Sequence, residues 1–101
     1  MNALQSILKE ELQRLERLCH KYRAEIVKLP KGSISEKDRK GRLYAYRAYR
    51  DKGKIIFKYL GGARSDKVIE IREKIKSRKR FESLLKKAQG NLKELKRALH
   101  E

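Results

Sequence analysis

The sequence predicts an α+β protein with a long N-terminal helix, a three-stranded antiparallel sheet and a long C-terminal helix, the helices packing as an antiparallel coiled coil. Three observations carry this. Apolar residues recur every three or four positions across residues 2–29 and again across 65–101. The stretch between them changes to glycine-punctuated runs of alternating character. Pro30 stands at the first change, where a helix cannot continue. At 101 residues, the chain fits a single domain, residues 1–101.

In the first segment Leu4, Leu8, Leu12, Leu15, Leu18, Tyr22, Ile26 and Leu29 make one apolar stripe. Asn2 suits the N-cap, Glu10 and Arg14 are spaced as an i,i+4 pair, and Pro30 pushes Leu29 out of the α region. A helix of that span is about 40 Å long, which favours an elongated shape. In the last segment Ser65 or Asp66 suits the cap. Val68, Ile71, Ile75, Phe81, Leu85, Ala88, Leu92, Leu95 and Leu99 keep a nearly heptad spacing. Gly90–Asn91 is a potential break in it. The heptads suit pairing within one chain and a homodimer alike.

The middle segment reads as strands near residues 33–37, 42–50 and 54–60. Asp51–Lys52–Gly53 suits a three-residue hairpin loop with Gly53 in the left-handed conformation. That loop sets Arg50 opposite Lys54, Tyr49 opposite Ile55 and Ala45 opposite Tyr59. Alternation then yields two faces. One carries Leu43, Ala45, Arg47, Tyr49, Ile55, Phe57 and Tyr59 and is expected to meet the helices. The other carries Tyr44, Tyr46, Ala48, Arg50, Lys54, Ile56, Lys58 and Leu60 and is expected to face outward. Arg47 interrupts the first face; Ile56 and Leu60 interrupt the second.

Charge points to the partner. Lys and Arg number 29 against 13 Asp and Glu, a net +16. A compact state carrying that charge repels itself unless a polyanion relieves it. The excess is localised: residues 1–30 are net +2, residues 31–64 net +8 and residues 65–101 net +6. Nucleic acid is the expected partner, duplex DNA first and RNA second, bound mainly through phosphates with limited base readout. Tyr44, Tyr46, Arg47, Arg50, Lys54 and Lys58 are the candidate contacts on the sheet, and Lys76, Arg78, Lys79 and Arg80 of the KIKSRKR run at 74–80 are the candidates on the helix. Each has a plainer reading: tyrosines pair across strands in any sheet, and a cationic run is often a solvated helix surface. With about six phosphates contacted, affinity should fall roughly a thousandfold between 50 and 200 mM salt.

Catalytic constellations are missing. His20 and His100 are far apart, Cys19 lies on the apolar stripe without spaced partners for a metal, and the serines lack a nucleophile motif. The expectation is therefore a non-enzyme without metal or cofactor. One cysteine permits no internal disulfide. No signal peptide and no run near the roughly 20 apolar residues of a membrane span are evident. A cytoplasmic protein follows, nucleoid-associated as one option, without membrane contact.

Residues 29–62 add a resemblance. Leu29–Ser33 (LPKGS), Gly41, Tyr44, Tyr46, Tyr49–Arg50, Gly53–Lys54 and Tyr59–Gly61 match the pattern LPKGS…GxxYxY…YR…GK…Y[IL]G. This resembles a widespread family of small basic prokaryotic proteins without an assigned activity, and the leucine-heptad flanking helices extend the likeness over most of the chain. The hairpin alone is similar to those of tyrosine-recombinase arm-binding domains and some transposase N-termini, which implies DNA contact through the sheet face. The competing expectation is a protein-interaction module, an accessory subunit or inhibitor of a phage, plasmid or CRISPR-type nucleoprotein machine, that also touches its RNA or DNA.

Overall fold

Both helices begin where the sequence supplies a cap. The Asn2 side chain accepts a hydrogen bond from the Gln5 backbone N–H at 2.8 Å, and Ser65 Oγ accepts one from Val68 N–H at 3.4 Å. The computed structural model describes residues 2–100. Its elements are α1 (Ala3–Val27), β1 (Ser33–Arg39), β2 (Arg42–Asp51), β3 (Lys54–Gly62) and α2 (Asp66–His100). The α+β architecture is as predicted. The potential break is not there: α2 continues through Gly90 and Asn91, because a single glycine costs a helix only about 1 kcal/mol. Arg14 pairs with Glu11, not Glu10, and this contact lowers the Glu11 carboxyl below its ordinary range.

The chain divides into two compact units. One joins the described residues up to Lys28 with those from Lys79 onward; the other is Leu29–Arg78. In the first, α1 runs antiparallel to the C-terminal part of α2. Tyr22 meets Phe81 with ring centroids 6.1 Å apart, while Glu11 and Leu15 line a depression with Asn91, Glu94 and Leu95. Leu15, Cys19 and Ala88 are buried here, so Cys19 is a core residue.

In the second unit the strands lie in the order β1-β2-β3, all antiparallel. Ala45 and Leu60 on one face of the sheet pack with Val68 of α2, flanked by Ile34 and Ile71. An ion pair of 2.6 Å between Arg72 of α2 and Glu36 of β1 reinforces that packing. Ala45 and Val68 are fully buried. The core is small, and the sheet has one covered face and one open face.

The register corrects the expected one. Both hairpins turn on two residues, Lys40–Gly41 and Lys52–Gly53, each with positive φ at both positions (54° and 82°, 50° and 80°), the pattern of a type I′ turn. Asp51 therefore faces Lys54, Arg50 faces Ile55, Ala48 faces Phe57 and Tyr46 faces Tyr59. A bulge between Ala45 and Tyr46 leaves Leu60 without a register partner and sets Ala45 opposite Gly61. The two-residue turn shifts β3 by one position, which moves every β3 side chain to the other face.

The LPKGS turn has a steric basis at Gly32. Its φ is +107°, and a Cβ there would overlap the Ala48 carbonyl oxygen and press on Tyr49 Cβ. Gly32→Ala should lower stability by about 3 kcal/mol, combining left-handed strain and overpacking. Gly41→Ala, where nothing lies within 4 Å, should cost about 1 kcal/mol. Urea unfolding of both variants checks the ranking. Lys52→Asn, which suits the left-handed position better, should raise stability by about 0.5 kcal/mol in the same assay.

Candidate nucleic-acid interface

The observed pairs sort the sheet's side chains into two sets. The covered side receives Ile34, Glu36, Asp38, Leu43, Ala45, Arg47, Tyr49, Asp51, Lys54, Ile56, Lys58 and Leu60. The open side receives Lys37, Arg39, Arg42, Arg50, Tyr44, Tyr46, Ile55, Phe57 and Tyr59, with Ser33, Ser35 and Ala48. All three carboxylates of the sheet fall on the covered side; the open side has cations and none.

Two of those carboxylates have hydrogen-bonded partners. Glu36 holds Arg72. Asp38 accepts a 2.9 Å bond from the Gly41 N–H and closes the first turn. Asp51 stands across from Lys54 beside the second turn. Among the described residues, no ion pair involves the cations on the other surface.

Of the residues read as contacts from the sequence, Tyr44, Tyr46 and Arg50 stand on the open side. Lys54, Lys58 and Arg47 do not. Arg47 is half-buried; its guanidinium lies 3.9 Å from the Tyr49 ring centroid and donates to the Lys31 carbonyl at 2.8 Å. That explains a cation on the covered face: it stacks and ties the LPKGS turn to β2. On α2, Arg78 donates to the Leu29 carbonyl at 2.7 Å and Lys76 is exposed. Both belong to the sheet unit, on the helix that covers the opposite face from Tyr44 and Tyr46. Lys79 and Arg80 belong to the helical unit and are exposed.

The sequence reading missed Lys37, Arg39, Lys40, Arg42, Phe57 and Tyr59. One signal could have found them: the dipeptide Lys-Gly stands at both turns, and a two-residue loop at each fixes the faces. Around this end of the sheet Arg39, Lys40, Arg42, Tyr44, Tyr46 and Tyr59 line a depression of about 530 Å³. Tyr59 packs tilted against Tyr46 and Tyr44, at 5.4 and 6.2 Å between centroids. The Lys37 ammonium lies over Tyr46 at 5.3 Å and over Phe57 at 4.8 Å, a cation–π arrangement across all three strands. Ile55, Phe57 and Tyr59 are 58%, 52% and 54% exposed, too much for side chains with a core role.

Chemically, this surface can hold anions and flat rings. Among the described residues, no group of three or more His, Cys, Asp and Glu could hold a metal ion, and no helix is long and apolar enough to cross a membrane.

No curated protein and no solved structure matches the chain. The model of one family matches residues 1–73, which include α1, all three strands and the start of α2. The chain belongs to that family, described as Domain of unknown function (DUF6788).

Proposed function

We propose that the protein binds nucleic acid across the open face of its sheet, with phosphates held by Lys37, Arg39, Lys40, Arg42 and Arg50. The observation that supports this is the sorting of charge: every carboxylate of the sheet is on the covered side, while the exposed aromatic side carries cations alone. Random placement of surface charge for solubility would intersperse the two signs. The conformational cost at the turn points the same way. Lys40 adopts φ +54°, a position that asparagine or glycine fills with less strain, yet a cation stands there at the rim of the aromatic depression. The hairpin's likeness to arm-binding sheets of recombinases agrees with contact through this face. Duplex DNA is the polyanion the sequence favours, and RNA carries the same phosphates.

A second reading, an accessory subunit of a nucleoprotein machine, is supported by Leu4 and Ile7 of α1, both more than half exposed. In it the heptad residues of the helices would form a coiled-coil seam with a partner or a second copy, and the sheet would still meet nucleic acid.

Charge reversal separates the two sides of the sheet. Lys37→Glu, Arg39→Glu and Arg42→Glu combined should weaken binding to a mixed panel of duplex and single-stranded oligonucleotides more than a hundredfold, measured by gel shift. Lys54→Glu with Lys58→Glu should weaken it less than tenfold. Equal losses from both sets would reject the open face as the contact surface. With about five phosphates neutralised, affinity for duplex DNA should fall roughly five hundredfold between 50 and 200 mM salt.

A further inference from the structure

We infer that the open face takes single-stranded nucleic acid, with an unpaired base seated in the depression of Tyr44, Tyr46 and Tyr59 and its flanking phosphates on Arg39, Lys40 and Arg42. This rests on the nucleic-acid reading above and names its substrate class.

The composition of the face argues for it. Reading base edges in a duplex groove takes forked donors and acceptors, chiefly Arg, Lys, Asn and Gln. The open face has no Asn or Gln, its Arg and Lys stand at the edge strand and the strand ends, and its centre is Ala48, Phe57, Tyr44, Tyr46 and Tyr59. A duplex presents phosphate and sugar to such a surface, and burying Ile55 and Phe57 against those groups strips water from the phosphates without return. An unpaired base presents an apolar π face, which aromatic side chains cover favourably whatever the base.

Geometry argues the same. Tyr59 is tilted 48° and 59° to Tyr44 and Tyr46, so no parallel neighbour closes off its ring. The three rings come from two adjacent strands and wall one concavity. Arg39, Lys40 and Arg42 stand together at one end of that concavity, where the phosphates beside a seated base would lie. At the other end of β2 and β3, Arg50 faces Ile55, and Lys37 bridges Tyr46 and Phe57 between the two ends. Cations therefore lie at both ends of an aromatic strip, the pattern of a groove that tracks a backbone while bases stack. Lys37 already occupies the Tyr46 and Phe57 rings, which leaves Tyr44 and Tyr59 as the platforms open to a base.

The test uses the full chain and four probes of equal length in fluorescence anisotropy at 100 mM salt: oligo-dT, oligo-U, an abasic deoxyribose-phosphate oligomer and a mixed-sequence duplex. The abasic probe keeps every phosphate and lacks every base. The expected result is at least tenfold tighter binding of oligo-dT or oligo-U than of the abasic oligomer and the duplex, with quenching of tyrosine fluorescence. Comparing oligo-dT with oligo-U tells whether DNA or RNA is preferred. Tyr59→Leu and Tyr44→Leu should each abolish at least tenfold of the single-strand affinity, while Tyr59→Phe retains it, and binding of the abasic oligomer should stay within threefold. Circular dichroism checks that the leucine variants keep the sheet, and should either unfold, Tyr59→Thr provides a strand-compatible replacement without a ring.

Duplex bound as tightly as oligo-dT, with the tyrosine variants unaffected, would overturn the inference and leave the nucleic-acid reading standing. Equal affinity for oligo-dT and the abasic oligomer would overturn it too, assigning the face to phosphates alone. Failure of all four probes to bind would overturn both readings.

Discussion

Everything on the sheet depends on the register of one hairpin, and a two-residue turn sets it. Lys52 and Gly53 both adopt positive φ, which matches the right-handed twist of the strands they join. With two residues in the turn, Asp51 meets Lys54, and from there alternation assigns each side chain of β3. The same alternation puts Leu60 under the helix, where it packs with Val68. One more residue in the turn would bury Phe57 and Tyr59 and expose Leu60. The aromatic face and the core are thus two consequences of a single choice of turn.

That choice carries costs of a kind expected at working surfaces. Gathering Lys37, Arg39, Lys40, Arg42 and Arg50 on one side without an acid raises self-repulsion. Two lysines adopt a conformation that disfavours side chains with a Cβ. Two large apolar side chains, Ile55 and Phe57, stay in water when burial would stabilise each by about 1.5–3 kcal/mol. The compensations are local. The carboxylates close a turn, hold α2 to β1 and face Lys54, and Arg47 and Arg78 use their guanidinium groups on backbone carbonyls. Charge near the core does structural work, and on the open side Arg50 also donates to a backbone carbonyl, that of Gly53, at 3.4 Å.

How far this was legible in the sequence follows from the same physics. The helices, a cap at Asn2 and another at Ser65 or Asp66, the stop at Pro30 and the three strands could all be read, because they rest on periodicity and capping, both local signals. The β2 half of each face was also legible, since Tyr44, Tyr46 and Arg50 alternate with Ala45 and Tyr49 in one strand. The β3 half was not. Apolar bulk in β3 favours burying Ile55, Phe57 and Tyr59 over Ile56 and Leu60, and hydrophobic alternation alone selects that wrong register. A pattern that argues against the true structure is itself informative: local rules tend to be broken where a surface has a task besides folding. Arg78 shows the opposite case. As part of a cationic run it reads as a phosphate contact, but it holds the Leu29 carbonyl, a partner distant in sequence that no local pattern indicates.

An exposed strip of Ile55, Phe57 and Tyr59 would ordinarily invite self-association. Its surroundings decide against that. Two copies meeting through this face would bring Lys37, Arg39, Arg42 and Arg50 of each against the same cations of the other, and like charges apposed across an interface cost several kcal/mol. The same cations would attract a polyanion before any apolar contact is made, so on the proposed reading steering precedes stacking. A partner that gains from this face must supply negative charge along its length and flat apolar surfaces at intervals between the charges. An acidic lipid surface has the first without the second, and an ordinary protein surface has the second without a regular first. A nucleic-acid strand with unpaired bases has both, and on the proposed reading its phosphates meet the cations at the ends of the aromatic strip while its bases meet the rings.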